Sequence, residues 1–334
     1  MPVKEWISSF QIAAIVGICK NAGKTTLLNH IIKSDPHHRY GVMSTGIDGE
    51  DTDTVFKHSK PKLILPAGSV YISDKIGLDE QSGNLEILGY APGSHANRKL
   101  WLVKAIIPVQ TRITGPSSVK LQVSCCKALK KAGAERILID GSLDRKSIAL
   151  SSKVDALFLA IGAGYGNLEA LKTELRRILF LKGIPQSTDL SHYQQSRLIE
   201  LDSVALKIGN RWRSTGISSI IGSEAALRKL VQDSPKAAIY IPGAITDNGY
   251  SKLQSLFNGR SLIIRHPENI KLSLPKLESL LNASDIQTLI PHRIKGIALN
   301  SWAPGMHQKD AELFRAEVRS SFPGLNLIDT MELI

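Results

Sequence analysis

The chain has 334 residues, of which 43% are hydrophobic and 5% aromatic, and its 42 Lys and Arg against 30 Asp and Glu give a formal charge of +12. This length allows one large α/β domain or two ordinary ones, and the three Cys are too few for a disulfide framework. The sequence shows neither an apolar run of about 20 residues nor a secretory signal, so we expect a cytoplasmic protein without membrane contact. Its basic residues are scattered, with no basic tail or zinc-finger spacing, so nucleic acid is not an expected partner.

Short β-branched runs that end in Gly or Asp alternate along the chain with segments of helical periodicity. Residues 12–17 predict a first strand, residues 24–33 the helix after it, and residues 40–44 a second strand. Residues 63–114 are rich in β-formers and turn residues. The other predicted elements are strands at 70–72, 85–88, 104–107, 136–141, 156–161, 238–241, 261–264 and 296–299, a helix from Ser117/Ser118 through Lys131, and helices at 168–181 and 310–321.

This alternation favours an α/β fold with a doubly wound, mostly parallel sheet. We predict a single domain over residues 1–334, with a β-rich insertion at about 60–115 and a second insertion at about 185–225. Residues 185–220 are polar and rich in Ser and Gln, and they predict no clear element. A split into two domains near 185–225 is therefore the alternative.

A glycine-rich segment, GICKNAGKTT at 17–26, lies between the first predicted strand and the first predicted helix. A turn of this kind directs backbone N–H groups at an anion, and the dipole of the helix adds partial positive charge. Lys24 is expected to reach the β- and γ-phosphates of a nucleotide, the Thr25 hydroxyl to ligate Mg²⁺, and Thr26 to donate to the α-phosphate. The residues expected to contact ATP here are Gly17, Lys20, Asn21, Ala22, Gly23, Lys24, Thr25 and Thr26.

The spacing of this loop differs from the standard phosphate loop. Five residues separate Gly17 from Gly23, and Ile18 stands where the standard pattern has glycine. The variant resembles the phosphate loop of the dethiobiotin-synthetase and MinD-like class of P-loop NTPases. Cys19 lies within the loop; it is either a reactive thiol or, the interpretation we favour, a small residue without a redox role.

A P-loop enzyme needs a carboxylate at the end of a neighbouring strand to hold the magnesium shell. Asp140 follows the four predicted strand residues 136–139 and precedes Gly141, which is expected to turn the backbone beside the γ-phosphate. We therefore predict that Asp140 serves catalysis and Mg²⁺ binding. Asp144 is a second candidate, with capping of a turn as its alternative role.

The segment 44–53 follows the second predicted strand and holds four carboxylates within six residues. Loops at the carboxyl ends of strands converge on the ligand crevice of an open α/β sheet. Asp48 and Glu50 are the favoured catalytic candidates, and Asp48 is also a predicted metal ligand. A solvated acidic turn, with Asp and Gly present for their turn propensity, remains an equal alternative.

Three further turns are candidates for the same site. Residues 114–118 form either a second anion site or an ordinary helix N-cap, and residues 162–167 are expected to form a tight turn near the phosphates. Asn300 ends a predicted strand and is followed by Pro304, as in dethiobiotin-synthetase-like proteins. That likeness implies contact of the Asn300 amide with the adenine edge, and initiation of a turn is the alternative.

Several motifs, scattered over most of the chain, resemble one family. They are the phosphate loop at 16–26, the segment 44–50, the turn 115–118, the sequence PGAITD at 242–247 and the stretch 300–304. Together they are similar to the ATP-binding subunit of the reactivating chaperone for lysine 5,6-aminomutase, which depends on cobalamin and pyridoxal phosphate. Residues 301–302 and 265–267 depart from the expected pattern.

The resemblance implies ATP binding and Mg²⁺-dependent hydrolysis that drive release of inactivated cobalamin from a mutase. It implies two partners, a second and larger reactivase subunit and the aminomutase itself. Ordering of the segment 44–53 would couple the nucleotide state to partner contacts. Two other classes remain open, an ATP-dependent small-molecule ligase or kinase of the dethiobiotin synthetase type and a regulatory module that binds nucleotide without hydrolysing it. The ligase or kinase would take its substrate pocket from residues 63–115 or 185–220.

Overall fold

The computed structural model describes Trp6 and residues 10–46, 62–142, 149, 151–232, 234 and 237–333. The chain divides into two compact units, Met1–Lys172 with Arg293–Ile334, and Thr173–His292. Each unit has its own β-sheet. No helix among the described residues has the length and apolar character needed to cross a membrane.

The strands and helices are numbered here in chain order. The described strands are β1 (Ile12–Gly17), β2 (Tyr40–Ser44), β3 (Leu63–Leu65), β4 (Val70–Ser73), β5 (Leu85–Tyr90), β6 (Trp101–Ala105), β7 (Val109–Thr111), β8 (Arg136–Ser142), β9 (Ala156–Gly162), β10 (Ala205–Ile208), β11 (Arg211–Ser214), β12 (Ile239–Ile241), β13 (Ile245–Thr246), β14 (Ser261–Ile264), β15 (Ile270–Lys271), β16 (Asp285–Thr288), β17 (Ile294–Asn300) and β18 (Leu327–Asp329). The described helices are α1 (Lys24–Ser34), α2 (Lys75–Glu80), α3 (Val119–Lys131), α4 (Leu168–Gly183), α5 (His192–Glu200), α6 (Glu224–Gln232), α7 (Asp247–Phe257), α8 (Leu274–Ala283) and α9 (Gln308–Ser321).

The first unit is built on a nine-stranded sheet of order β18-β17-β9-β1-β8-β2-β4-β6-β5. The neighbouring strands from β18 to β4 pair in parallel, and β6 is antiparallel to both β4 and β5. The predicted mixed α/β class with a large, mostly parallel sheet is thereby confirmed. The predicted β-rich insertion at 60–115 extends the main sheet through β4, β6 and β5, and β3 and β7 form a separate antiparallel pair.

Strand β1 lies inside this sheet because its residues are apolar on both faces, as expected for a parallel strand covered by helices. Ala13 and Ile15 pack in the main core with Leu27, Leu28 and Ile31 of α1. Complete burial of each such Leu or Ile contributes about 1.5–3 kcal/mol. The helix that follows β1 is thus held on one face of the sheet, with its first residue near the end of the strand.

The second unit contains a five-stranded sheet of order β11-β10-β12-β14-β16. Strands β12, β14 and β16 are parallel, and the hairpin β10–β11 joins antiparallel to β12. Its core includes Leu227 of α6, Leu253 of α7 and Leu277 of α8. The two units differ from the single domain with insertions that we predicted, and our alternative placed a split near 185–225, whereas the units divide at 172/173 and 292/293. Hydrophobic runs indicate that strands exist but not which strands share a sheet, so the sequence did not give these boundaries.

Two local predictions differ from the structure. The strand predicted at 104–107 lies at Trp101–Ala105, and Ile106 and Ile107 are exposed in the turn after it. The Ile106 N–H still donates to the Asn84 carbonyl at 2.9 Å, but the strand ends at Ala105. Residues 185–220, for which we predicted no clear element, hold α5 and the hairpin β10–β11.

Gly115 lies against the end of β2. A Cβ at this position would overlap the carbonyl oxygen of Ser44. The Ser44 N–H donates to the Thr114 carbonyl at 3.1 Å, which holds the two segments together. We therefore expect Gly115→Ala to lower the free energy of unfolding by about 2–3 kcal/mol, measured by urea denaturation. Exposed Gly324 has open space around it, so Gly324→Ala should change stability by less than about 0.5 kcal/mol. Equal stability of the two variants would contradict the close packing at Gly115.

Candidate functional site

The carboxyl ends of five parallel strands meet at one edge of the nine-stranded sheet. In β1, Gly17 pairs with Ser142 of β8 on one side and with Ala160 of β9 on the other. The same edge holds the ends of β2 and β17, since Ser44 pairs with Asp140 and Asn300 with Gly162. In the sheet, β8 and β2 lie on one side of β1, and β9 and β17 lie on the other. The strand order therefore reverses beside β1. Ligands of open α/β sheets bind outside the carboxyl ends of strands at such a reversal.

The segment between β1 and α1 makes a compact turn at this edge. The Ile18 N–H donates to the Ala160 carbonyl at 3.1 Å, which continues the contact with β9. Asn21 has φ of 57° and Gly23 has φ of 86°, both in the left-handed region that glycine tolerates best and Asn tolerates better than most residues. Gly23 is the N-cap of α1, and the helix begins at Lys24 as predicted.

The N-terminus of α1 lacks the usual side-chain compensation. Gly23 has no side chain with which to cap the first turn, and that turn contains no acidic residue. The first backbone N–H groups of any helix have no acceptor within the helix, and the helix dipole adds partial positive charge there. The N–H groups and the dipole both favour an anion at the N-terminus of α1.

Lys24 adds a full positive charge beside these N–H groups. Its aliphatic stem packs on Gly17, where an added Cβ would lie 3.1 Å from Cδ of Lys24 and 3.2 Å from Cγ. Lys24, Thr25 and Thr26 are each half-buried. Within the described residues, no carboxylate forms an ion pair with Lys24.

The other predicted loop residues divide into exposed and buried positions. Lys20 and Asn21 are exposed, and Ala22 is 1% exposed. Gly164, in the short helical turn Ala163–Tyr165 after β9, lies so close that an added Cβ would be 3.1 Å from the Lys20 carbonyl oxygen. The tight turn predicted at 162–167 is therefore present beside the loop.

Asp140 is a carboxylate buried near this edge. It lies in β8, is 6% exposed, and accepts the Thr45 N–H on its backbone carbonyl at 2.9 Å. Leu138, two residues earlier, packs in the core that contains Leu27 of α1. Because side chains alternate along a strand, the Asp140 side chain shares the face that α1 covers. The turn predicted at Gly141 is wrong, because β8 continues through Ser142 in register with β1.

Several predicted acidic candidates cannot be placed. Asp48 and Glu50 lie within 47–61, and Asp144 lies within 143–148; both segments fall outside the described residues. The beginning of the acidic segment is held at the site edge, because the Thr114 hydroxyl donates to the Gly46 carbonyl at 3.3 Å. Ser118 caps α3 by accepting the Leu121 N–H, so an ordinary helix cap is present at the turn 114–118.

Asn300 contacts the loop directly. Its amide Nδ2 donates to the Asn21 carbonyl at 2.6 Å, and its Oδ1 accepts the Trp302 N–H at 3.3 Å. From the sequence we expected this amide at the edge of an adenine. The described contacts of the amide are with the protein backbone, and contact with a base stays a prediction.

Thr330 is a neighbour of the loop that the sequence analysis missed. An added Cβ on Gly23 would lie 2.8 Å from the Thr330 hydroxyl oxygen, and Thr330 is 2% exposed. It directly follows β18, which pairs in parallel with β17. The run of only three residues in β18 was too short to predict a strand.

The loop thiol is not activated. Burial raises the pKa of Cys19 to about 11, although nearby Lys24 and the contact with the Gly162 carbonyl act in the opposite direction. The thiolate is the reactive form of cysteine. At neutral pH Cys19 is therefore a protonated packing residue, which agrees with the interpretation that we favoured.

The second unit holds a separate buried cluster beyond the ends of β14 and β16. Nε2 of His292 lies 2.8 Å from Glu268 Oε1, and Lys271 Nζ lies 3.3 Å from Oε2. Burial alone would raise the pKa of Glu268, but the hydrogen bond and charge of His292, with the charges of Lys271 and Arg177, lower it to about 2. His266 packs against the His292 ring at a centroid distance of 5.2 Å. The Glu268–His292 pair is enclosed, since these residues are 3% and 6% exposed.

No protein-family model matches this chain, and no curated protein matches its sequence. The geometry of the strand ends and the sequence motifs therefore support the functional proposal.

The raised pKa of Cys19 predicts slow alkylation. Relative to the ordinary value of 9.0, a pKa of about 11 lowers the thiolate fraction about 100-fold at pH 8. Iodoacetamide labelling of Cys19, followed by peptide mass spectrometry, should therefore be about 100-fold slower in the folded protein than in urea. Labelling at equal rates would mean that the loop thiol is exposed and reactive.

The lowered pKa of Glu268 predicts a pH-dependent contribution to stability. Because the folded pKa of about 2 lies below the ordinary 4.5, the stabilisation is complete above about pH 5 and is lost as the pH falls toward 2. Glu268→Gln should lower the free energy of unfolding by about 3 kcal/mol at pH 7, with a difference from wild type that shrinks below pH 5. Tryptophan fluorescence follows the unfolding, and Trp212 contributes the signal from residues 173–292.

Exposed Glu278 of α8 provides the control for this prediction. Glu278→Gln removes a charge in the same unit without disturbing a buried partner, so the effect should be less than about 0.5 kcal/mol at pH 7. A Glu268→Gln difference that stays constant from pH 7 to pH 3 would show that the carboxylate charge does not stabilise the fold.

Proposed function

We propose that this protein is a P-loop ATPase that binds Mg²⁺ and ATP at residues 17–26 and hydrolyses the nucleotide. One observation carries the proposal: a turn with two left-handed residues leads from a central parallel strand into a helix without a side-chain cap. A triphosphate is the ligand whose charge and oxygen acceptors match such a site. The reversal of strand order beside β1 supports the same location.

The small residues of the turn fit close approach by phosphate. Gly17 leaves space that the stem of Lys24 occupies, and Gly23 leaves space beside Thr330. With the Lys24 stem on Gly17, its ammonium group is expected to reach the β- and γ-phosphates. The role of Lys24 is electrostatic, because phosphoryl transfer is accelerated mainly by positioning and by stabilisation of developing negative charge.

The oxygen-donor set fits magnesium. Thr25 would supply a hydroxyl oxygen and Asp140 a buried carboxylate, both hard ligands of the kind that Mg²⁺ prefers. The described residues contain no group of three or more His, Cys, Asp or Glu that could hold a metal ion, and a phosphate-bound Mg²⁺ does not need one because waters and phosphates provide most of its ligands. Bound Mg²⁺ would neutralise charge on the β- and γ-phosphates.

The reactivating chaperone is the role that we propose for this ATPase. Its support is the set of sequence motifs that resemble the ATP-binding reactivase subunit, with a cobalamin-dependent aminomutase and a second subunit as partners. The motif at 242–247 belongs to the second unit, where Thr246 caps α7. Hydrolysis at the loop would then drive the release of inactivated cobalamin.

A small-molecule ligase or kinase would need a substrate pocket beside the γ-phosphate. One depression in the described surface, with a volume of about 630 Å³, is lined by residues 90–96, Lys99 and Ala128. Most of its lining falls within 63–115, one of the two segments from which a ligase or kinase would take its substrate pocket. Hydrolysis assays with a protein partner and with small molecules distinguish the two functions.

The ATPase proposal predicts a strong dependence on Lys24. Lys24→Ala should lower kcat/KM for ATP at least about 100-fold, because the charge that faces the transferred phosphate is lost. Phosphate release in the presence of Mg²⁺ measures this effect. Lys33→Ala, at the exposed end of the same helix, is the matched control and should keep wild-type turnover.

The partner is tested by the same assay. Stimulation of Lys24-dependent turnover by a cobalamin-dependent aminomutase supports the chaperone role, whereas stimulation by a small molecule alone supports the ligase or kinase. Tight ATP binding without turnover would indicate the regulatory module. Equal turnover by wild type and Lys24→Ala would reject the loop as the ATPase site.

A further inference from the structure

Asn300 lies where the loop and two strand ends meet. It is the last residue of β17 and pairs with Gly162 of β9. Its Nδ2 donates to the Asn21 carbonyl at 2.6 Å, across a sequence separation of 279 residues, while Oδ1 accepts the Trp302 N–H. The orientation of the amide is thus set from both ends by backbone groups.

The carbonyl that Asn300 holds belongs to the residue with left-handed backbone. Asn21 has φ of 57°, and the chain contains no cis peptide bond among the described residues. In a planar trans peptide, the C=O of one residue and the N–H of the next point in opposite directions. By fixing the Asn21 carbonyl, Asn300 therefore also fixes the direction of the Ala22 N–H, away from itself.

Packing around Asn300 restricts movement of this peptide. An added Cβ on Gly162 would lie 3.0 Å from the Asn300 carbonyl oxygen and 3.4 Å from Cα of Ala22, and one on Gly23 would lie 3.3 Å from Cβ of Asn300. Ala22 itself is 1% exposed. The loop backbone and Asn300 are thus in close contact on more than one side.

We propose that Asn300 is a positioning residue of the phosphate loop. Its amide holds the peptide between Asn21 and Ala22, so that the loop N–H groups are preorganised for a phosphate chain. This inference rests on the proposed function. It differs from the role implied by the family resemblance, because a base-contacting amide discriminates between nucleotides, whereas a loop-positioning amide supports every ligand that carries the phosphates.

The deciding experiment compares three ligands, each with Mg²⁺: ATP, GTP and inorganic tripolyphosphate. Calorimetric titration of wild type, Asn300→Ala and Asn300→Asp gives the dissociation constants. Loss of one hydrogen bond should weaken binding of all three ligands by the same factor, about 10-fold for Asn300→Ala. Asn300→Asp should weaken it further, because it places a carboxylate oxygen against the Asn21 carbonyl.

Asn29 offers a matched control. It lies on α1 and makes the same kind of amide bridge, with Nδ2 donating to the Lys62 carbonyl and Oδ1 accepting the Ile64 N–H, each at 2.9 Å. Asn29→Ala should leave all three affinities unchanged. A loss with Asn300→Ala confined to ATP, with tripolyphosphate binding intact, would overturn the proposal in favour of base contact. No loss for any ligand would overturn it as well.

A measurement without ligand separates this inference from the proposed function. Amide hydrogen exchange of the peptide spanning 17–23 should be faster in Asn300→Ala than in wild type or Asn29→Ala, because the loop loses its tether. Unchanged exchange would refute the positioning role. If wild type binds none of the ligands, or Lys24→Ala binds them equally well, the proposed function fails, and the exchange comparison still decides what Asn300 does. Asn300→Ser, whose hydroxyl is too short to span the same gap, replaces the Ala variant should the latter not fold.

Discussion

The candidate site depends on one constraint, the connection of β1 to α1 by only six residues. Gly17 ends the strand and Lys24 begins the helix, so the chain must reverse its direction tightly at the edge of the sheet. Such a turn has few hydrogen bonds of its own, and neighbouring strands hold it instead. The Ala160 carbonyl accepts from Ile18 at its start, and the Asn300 amide donates to the Asn21 carbonyl at 2.6 Å.

Electrostatics gives this turn its chemical character. The dipole of α1 and the ammonium group of Lys24 place positive charge at the carboxyl edge, while Asp140 places a buried carboxylate on the same face of the sheet. An anion paired with a divalent cation satisfies both signs at once, as a metal-bound phosphate chain does. A carboxylate ligand without a metal would not be attracted to Asp140. A metal without an anion would not be attracted to Lys24 or to the helix N-terminus.

The second unit achieves its stability by different means. Its parallel strands pack with buried Leu residues of three helices, and Glu268 and His292 form an enclosed ionisable pair. Removal of one partner from such a pair is strongly destabilising, because the other group then stays buried without compensation. The pair connects the segment after β14 with the segment after β16, which are distant in sequence. Its role in this unit is architectural.

Local sequence patterns were enough to predict β1, the glycine turn, α1 and β2. Residues 12–17, 24–33 and 40–44 were predicted as elements, and the structure has Ile12–Gly17, Lys24–Ser34 and Tyr40–Ser44. Apolar periodicity and the position of glycine depend on only a few neighbouring residues, so a single sequence is enough to recognise them. Tertiary structure alone decided the rest: the separate sheet of Thr173–His292, the place of Thr330, and the partner of Asn300. These depend on which strands pair across long separations, and the side chains of a strand show that it is buried without showing which neighbour buries it.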